Sequence, residues 1–161
     1  IYVYNETLDQ ALKEVNNFRS SEGINLEQDI TDNIDKIENF LETVIELDDS
    51  RKDKIKQRLE SAVQHNDIDY DKNRFEQELI YYIEKFDISE EKTRLKSHIK
   101  YFRQITETNA PNGKKLNFIA QEIGREINTI GSKANNAEMQ STVVEMKDQL
   151  EKIKEQLLNI L

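Results

Sequence analysis

Two stretches of the chain carry apolar side chains at alternating spacings of four and three residues, and this pattern constrains the fold most. The longer stretch lies at the end of the sequence and comprises Met139, Val143, Met146, Leu150, Ile153, Leu157 and Ile160. The other comprises Ile30, Ile34, Ile37, Leu41 and Val44. A repeat of this kind places its apolar residues along one side of an α-helix, so each stretch predicts a helix that packs lengthwise against a neighbour. Since no strand periodicity accompanies these stretches, the sequence predicts an all-α protein.

Six consecutive polar residues, 48–53, interrupt the earlier of the two repeats before apolar residues resume at Ile55. A buried seam absorbs six polar side chains only at a high cost in free energy. We therefore expect a hairpin or sharp bend at residues 48–50, with a single long helix of about 39 residues as the alternative. A separate, earlier helix is predicted over residues 6–22, and Gly23 is expected to end it.

Further breaks divide the second half of the chain into shorter helices. One helix is predicted over about residues 71–85, a second begins in the Asp87–Ser89 region, a third begins near Lys115, and a fourth covers about 137–158. Residues 109–113 give the strongest loop signal in the chain. The predicted architecture consists of long amphipathic helices in an antiparallel hairpin or bundle with coiled-coil-like seams. It comprises an acidic helical hairpin or coiled-coil region at 1–70 and a helical domain at 71–161.

The charge of the chain is distributed unevenly. The formal net charge is −9, yet residues 72–161 contain 14 acidic and 15 basic side chains, whereas residues 1–71 contain 18 and 8. An acidic chain argues against nonspecific binding of nucleic acid. A ligand feels the local field, however, so the second half permits RNA binding without establishing it.

The absence of cysteine excludes several kinds of site. A chain with no cysteine has no disulfide, no thiolate metal site and no cysteine nucleophile, and this composition favours a reducing cytoplasm. We also expect no membrane span, because no apolar run approaches the required length.

The stretch QEIGREINTIGSK, residues 121–133, has the clearest pattern of polar residues. On a helix, Glu122, Glu126, Thr129 and Lys133 share one stripe and Arg125 lies beside it. Two carboxylates one turn apart can share a divalent cation such as Mg²⁺ or Mn²⁺, and an arginine can bind a phosphate in bidentate fashion. The alternative is an ordinary solvated helix face.

Two glycines within the same stretch, Gly124 and Gly131, are unusual in a helix interior. Each costs about 1 kcal/mol relative to alanine. Their presence predicts that a ligand or another chain approaches this helix closely.

A second candidate set lies on the helix after Asp87. Glu91, Arg94 and His98 share a face by their spacing, and His98 could act as a metal ligand or a general acid–base group. The alternative is a half-buried histidine with a structural hydrogen bond. The Gly113–Lys115 stretch before the next helix weakly predicts an anion site.

Several short motifs keep their order and spacing over about residues 70–161. They are NRFEQE at 73–78, DISEE at 87–91, RL at 94–95 with His98, GKKLNF at 113–118, QE at 121–122, REINT at 125–129, SK at 132–133, EMK at 145–147 and EKIKEQ at 151–156. With these motifs the chain resembles the C-terminal half of the YicC/YloC family of bacterial endoribonucleases. Asn117 departs from the family, which has aspartate there, and this argues against a metal ligand at that position. Leu161 stands where the family usually ends in glutamate.

The resemblance implies a divalent-metal-dependent endoribonuclease that assembles as a ring-like hexamer around RNA. The implied metal ligands for Mn²⁺ or Mg²⁺ are Glu122, Glu126, Glu91 and Asp87, and the implied catalytic residues are Glu122, Glu126, His98 and Glu91. The implied RNA-binding residues are Arg94, Lys114, Lys115, Arg125, Lys133 and Arg74. Family members also have an N-terminal half of mixed α/β character that residues 1–161 do not resemble, so the helical half alone could retain the site without full assembly or activity. The alternative is a non-catalytic helical scaffold or an RNA-binding or oligomerisation module, which the residues taken alone would favour.

Overall fold

A computed structural model describes residues 2–65, 77, 80, 81, 83–108 and 112–159. Four long helices occupy most of these residues: α1 (Tyr2–His65), α2 (Ser89–Thr106), α3 (Gly113–Lys133) and α4 (Ala137–Leu157). Residues 83–86, just before α2, are also helical. The described part of the chain contains no strand, so the all-α prediction is confirmed. The helix predicted over 71–85 falls largely outside the described residues. Of the loop predicted at 109–113, residues 109–111 fall outside them, whereas Asn112 precedes α3 and Gly113 is its first residue.

Helix α1 continues through both places at which the sequence predicted an end. Gly23 lies inside the helix without a positive φ angle, and the left-handed conformation that lets glycine end a helix is therefore absent there. The bend predicted at 48–50 is also wrong. Of the six polar residues in that stretch, Asp48 and Arg51 are buried and paired with each other, whereas the other four are exposed. The helix can therefore continue through this stretch, because the two residues on its buried side have opposite charges and neutralise each other.

The helices form an antiparallel bundle. Helix α2 runs against α1, as the ion pairs of Arg103 with Glu38 and of Lys92 with Asp48 show. The most extensive packing joins α1 to α4 and α2 to α3, and α3 also packs on α4. Residues 26–51 of α1 therefore form one member of a four-helix arrangement.

The two glycines of α3 face α4. A Cβ atom on Gly124 would lie 3.1 Å from Leu150 Cδ2, and one on Gly131 would lie 3.0 Å from Val143 Cγ1. The prediction of a ligand or another chain at these positions is wrong, since the close neighbour is α4 of the same chain. The glycines let the two helix axes approach each other.

The core contains both apolar repeats that the sequence displays. Residues of the 30–44 repeat and of the 139–157 repeat are almost completely buried and belong to one cluster with apolar residues of α2 and α3. The core therefore spans both of the regions predicted from sequence, 1–70 and 71–161. The first part of α1 is different, because Leu8, Leu12, Val15, Phe18 and Ile24 are all more than half exposed. Among the described residues, no helix has the length and apolarity that crossing a membrane requires.

Candidate functional site

The antiparallel packing of α2 on α3 sets most of the predicted site residues along one surface, which we call the α2–α3 face. It comprises Glu91, Arg94 and His98 on α2 and Glu122, Glu126 and Lys133 on α3. Glu91 Oε1 accepts a hydrogen bond of 2.8 Å from Lys133 Nζ. One turn along α2, Arg94 Nη1 lies 4.0 Å from Glu126 Oε1. The two candidate sets found separately in the sequence thus lie side by side.

Glu91 is the most enclosed carboxylate of this face. Its side chain is buried, and its second oxygen, Oε2, has no hydrogen-bond partner among the residues that the structure describes. An unsatisfied buried oxygen is costly, so such an atom calls for an explanation such as an ion or a substrate group. Lys133 Nζ also donates to the backbone oxygen of Asp87 at 3.0 Å, which fixes the start of α2 to the end of α3.

The two glutamates of α3 differ in their surroundings. Glu126 is buried beside Arg94, whereas Glu122 is partly exposed. Arg125 Nη1 lies 2.6 Å from Glu122 Oε1, so these two residues form an ion pair within α3. The guanidinium groups of Arg94 and Arg125 are both largely exposed. Both guanidinium groups are ion-paired, Arg94 also with Glu90 of its own helix, so a phosphate would bind at their exposed edges beside the carboxylates.

The remaining predicted residues are placed as follows. His98 is half-buried and forms no hydrogen bond to any residue that the structure describes, unlike the structural histidine considered as the alternative. Lys114 and Lys115 are exposed in the first turn of α3. Asn117 is exposed. Arg74, predicted to bind RNA, lies outside the described residues.

The Asp87 carboxylate is engaged by its neighbours. Its Oδ1 accepts hydrogen bonds from the Ser89 hydroxyl at 2.7 Å and from the Ser89 amide at 3.3 Å. Lys52 Nζ lies 3.6 Å away. The pKa of Asp87 is lowered, mainly by the hydroxyl of Ser89 and further by the charge of Lys52, although partial burial acts in the opposite direction.

The α2–α3 face fits a divalent cation only if waters and substrate phosphates supply some of the ligands. Within the described ranges, no three histidine, aspartate or glutamate side chains come close enough together to hold a metal ion. Glu122 and Glu126 are nevertheless one helical turn apart on α3, with Glu126 buried beside Arg94, and carboxylate oxygens suit Mg²⁺ and Mn²⁺. Since Mg²⁺ is commonly held by one or two carboxylates with waters and substrate phosphates, the donor set fits a site that substrate completes.

Next to this face lies a buried ionic cluster, formed where the polar stretch at 48–53 predicted a bend. The carboxylate of Asp48 is fully buried and contacts Arg51 Nη2 at 2.5 Å, Lys92 Nζ at 2.8 Å and Lys52 Nζ at 3.1 Å. Burial raises the pKa of Asp48, but the hydrogen bonds from Lys92 and Lys52 and the charges of Lys92 and Arg51 outweigh it, so the pKa is lowered. The carboxylate therefore stays ionised inside the bundle.

Arg51 extends this cluster to two backbone carbonyl groups. Its guanidinium donates to the carbonyl oxygen of Phe86 at 2.7 Å and to that of Lys133 at 3.3 Å. These carbonyls lie at helix ends, where intrahelical donors are missing. The signal available in the sequence was the spacing of Asp48, Arg51 and Lys52, which places them one turn apart on the side that continues the apolar repeat.

Comparisons with known proteins match the same part of the chain. A family model described as "Endoribonuclease YicC-like, C-terminal" matches residues 37–161. A probable endoribonuclease YicC of Clostridioides difficile (strain 630) is 36% identical over 97% of this chain and 54% of its own length. A probable endoribonuclease YicC of Haemophilus influenzae (strain Rd) is 32% identical over 78% of this chain and 42% of its own length. The chain thus spans about half the length of the curated relatives that it matches.

Proposed function

The chain belongs to the family of YicC-like endoribonucleases, and from this premise we propose that it cleaves RNA phosphodiester bonds or forms the helical half of a protein that does. The observation that carries the proposal is the family match over residues 37–161, which contains the whole α2–α3 face. The relatives' printed names describe probable endoribonucleases. We assign the reaction to this face because it combines enclosed carboxylates with exposed cations.

In the proposed reaction, the exposed cations of the face hold the RNA backbone. Arg94 and Arg125 lie beside Glu126 and Glu122, so a phosphate bound between the two guanidinium groups would sit next to the carboxylates. Lys133 would contribute positive charge at one end of the face, and Lys114 and Lys115 at the other. Arg74 stays a predicted contact.

We further propose that Glu122 and Glu126, one helical turn apart on α3, hold a Mn²⁺ or Mg²⁺ ion together with waters and the substrate phosphate. Glu91 contacts Lys133, which lies about 16 Å along α3 from Glu122, so Glu91 is not part of this ion's donor set. When bound, the ion would supply Lewis-acid stabilisation of the scissile phosphate and lower the pKa of a coordinated water. Glu126 would then turn toward the ion an oxygen that now lies near Arg94. Asp87 is bound by Ser89 and Lys52 at the Lys133 end of the face, so its role as a ligand stays a prediction.

His98 is the proposed proton-transfer group. It lies one turn from Arg94 on α2, its imidazole is partly accessible, and no described side chain occupies either ring nitrogen. An imidazole in such a position can give a proton to the leaving oxygen or accept one from the nucleophile.

Cleavage of a fluorescently labelled RNA hairpin, with millimolar Mn²⁺ or with EDTA, tests the proposal. We expect cleavage with Mn²⁺ and its loss both in EDTA and in the Glu122→Gln, Glu126→Gln double variant. The matched control is Glu42→Gln with Glu46→Gln, two exposed glutamates at the same spacing on α1, which should leave cleavage unchanged. Full activity of the Glu122→Gln, Glu126→Gln variant would refute the role assigned to these carboxylates. If the wild-type chain cleaves no RNA, the proposal that this chain is active without further protein is refuted.

An interaction or oligomerisation module is the second candidate, and the exposed apolar stripe of α1 favours it. Leu8, Leu12, Val15 and Phe18 recur on one side of the helix and are more than half exposed. Such a stripe suits burial against another helix, so self-association, including the hexamer that the family resemblance implied, belongs to this proposal. Light scattering coupled to gel filtration tests self-association: Leu12→Glu should lower the molar mass, and a monomeric wild-type chain would exclude self-association.

The cytoplasmic location stays a prediction.

A further inference from the structure

Two exposed aromatic rings continue the α2–α3 face beyond His98. Tyr101 on α2 is 42% exposed, and Phe118 on α3 is 61% exposed. Lys115, one turn before Phe118, places its Nζ 5.1 Å from the centre of the Tyr101 ring. Because this contact joins the two helices, the rings belong to neighbouring positions on the same surface.

Packing within the bundle does not account for these rings. The core positions nearby are filled by Phe102 on α2 and by Leu116 and Ile119 on α3, all of which are buried. Tyr101 and Phe118 therefore present large flat apolar surfaces to solvent. One exposed ring would be unremarkable, but two at the end of a candidate site, with a cation over one of them, point to a ligand.

The charge around the rings favours an anionic ligand. Residues 96–118 contain five basic side chains and one acidic side chain, although the chain as a whole has a net charge of −9. Lys96 and Arg103 pair with acidic residues of α1. Lys100, Lys114 and Lys115 form no ion pair with any residue that the structure describes, so their charges remain available to a polyanion.

The geometry points to a stacking site for unpaired RNA bases, made of Tyr101, Phe118 and Lys115. This inference rests on the proposed function and narrows its substrate to RNA with single-stranded nucleotides. Aromatic side chains stack on bases whose faces are free, whereas the bases of a duplex cover one another. Phe118 precedes Glu122 by one helical turn, about 6 Å along the axis, so a stacked nucleotide would lie beside the carboxylates. The lysines would contact its phosphates.

A tryptophan reporter tests the site directly, because the chain contains no tryptophan. In Phe118→Trp, an oligoadenylate of about ten nucleotides, added in EDTA to prevent cleavage, should quench the tryptophan fluorescence. An oligomer of the same length with abasic ribose units should not. The matched control is Tyr81→Trp, since Tyr81 is also exposed and has Lys85 6.0 Å from its ring centre. Equal quenching by the abasic oligomer, or at both positions, would contradict base stacking on this face.

Affinity supplies the second measurement. Tyr101→Leu and Phe118→Leu should each weaken binding of oligoadenylate about tenfold, the order expected for one base–ring stack, in fluorescence anisotropy. Tyr81→Leu should change it less than twofold, and the abasic oligomer should bind all variants equally. A wild-type chain that cleaves RNA while both leucine variants retain full affinity would overturn the stacking site alone. A wild-type chain that neither binds nor cleaves RNA would overturn both the stacking site and the proposed function, and would leave the rings as a surface for a protein partner.

Discussion

Asp48→Asn removes a buried negative charge on which Arg51, Lys52 and Lys92 converge. Asparagine has nearly the same shape, so the change isolates charge from packing. Breaking a buried ion pair by removing one partner typically costs about 3–5 kcal/mol, because the other partner is left uncompensated. Asparagine keeps one oxygen that can accept a hydrogen bond worth about 1 kcal/mol. We therefore expect a loss of about 3 kcal/mol in the free energy of unfolding, near the lower end of that range.

Urea unfolding followed by circular dichroism measures this loss, and thermal unfolding gives a second reading. For a chain of this size, each kcal/mol shifts the midpoint by about 2–4 °C, so the expected decrease is about 6–12 °C. The matched control is Asp148→Asn, which breaks the exposed pair of Asp148 with Lys152 on α4. An exposed pair of this kind contributes about 0.5 kcal/mol or less.

The electrostatic explanation can be separated from a general loss of packing. Lys92 is mostly buried, so in the Asp48→Asn background it becomes an uncompensated cation, and Lys92→Met should restore part of the lost stability. If Lys92→Met instead lowers stability further, or if Asp48→Asn costs no more than Asp148→Asn, the reasoning is refuted.

The lowered pKa of Asp48 makes this stabilisation dependent on pH. The ionised form is favoured in the folded state, so its contribution is fully present above the ordinary value of 3.8 and is lost as pH falls through the lower folded-state pKa. The difference in stability between the wild-type chain and Asp48→Asn should therefore shrink as pH falls below 3.8.

Three further substitutions test how the helices pack and end. Gly131→Ala should lower the free energy of unfolding by about 1 kcal/mol or more, since its Cβ would lie 3.0 Å from the stiff side chain of Val143, whose displacement outweighs the gain in helix propensity. In Gly23→Ala the new Cβ atom has open space around it. This substitution should therefore raise the helix content measured by circular dichroism and stabilise the local helix by about 1 kcal/mol. A loss of stability in both glycine variants would contradict the packing argument. Arg51→Lys should cost about 2 kcal/mol in urea unfolding, because one ammonium group cannot reproduce the forked hydrogen bonds to a carboxylate and two backbone carbonyls. Unchanged stability of Arg51→Lys would show that those carbonyls are satisfied in another way.

Features that depend on neighbouring residues could be predicted from the sequence. The repeat from Met139 to Leu157 predicted helix α4 and its buried side, because side chains three and four positions apart share a helix face whatever the rest of the chain does. The stripe of Glu122 and Glu126 was identified on the same basis. What could not be predicted was the partner of each stripe.

The errors at residues 48–50 and at the glycines have one physical cause. Asp48 is tolerated inside the bundle through Lys92, which lies 44 positions away in the sequence. Gly124 and Gly131 are accommodated by side chains of α4 that local spacing does not reveal. In each case the decisive energy comes from a contact between helices, and a single sequence shows the residue types but not the register in which helices meet.

The buried ionic cluster and the α2–α3 face are linked through adjacent residues. On α2, Lys92 binds Asp48 of α1, and the preceding residue, Glu91, binds Lys133 of α3. The backbone oxygen of Lys133 also accepts a hydrogen bond from Arg51. Helix α1 therefore fixes the end of the face at which the most enclosed carboxylate lies, while the opposite end presents exposed rings and lysines. If RNA binds as proposed, its bases would be held at the accessible end beside Glu122, and Glu91, whose position the cluster sets, would lie at the other end of the bound strand.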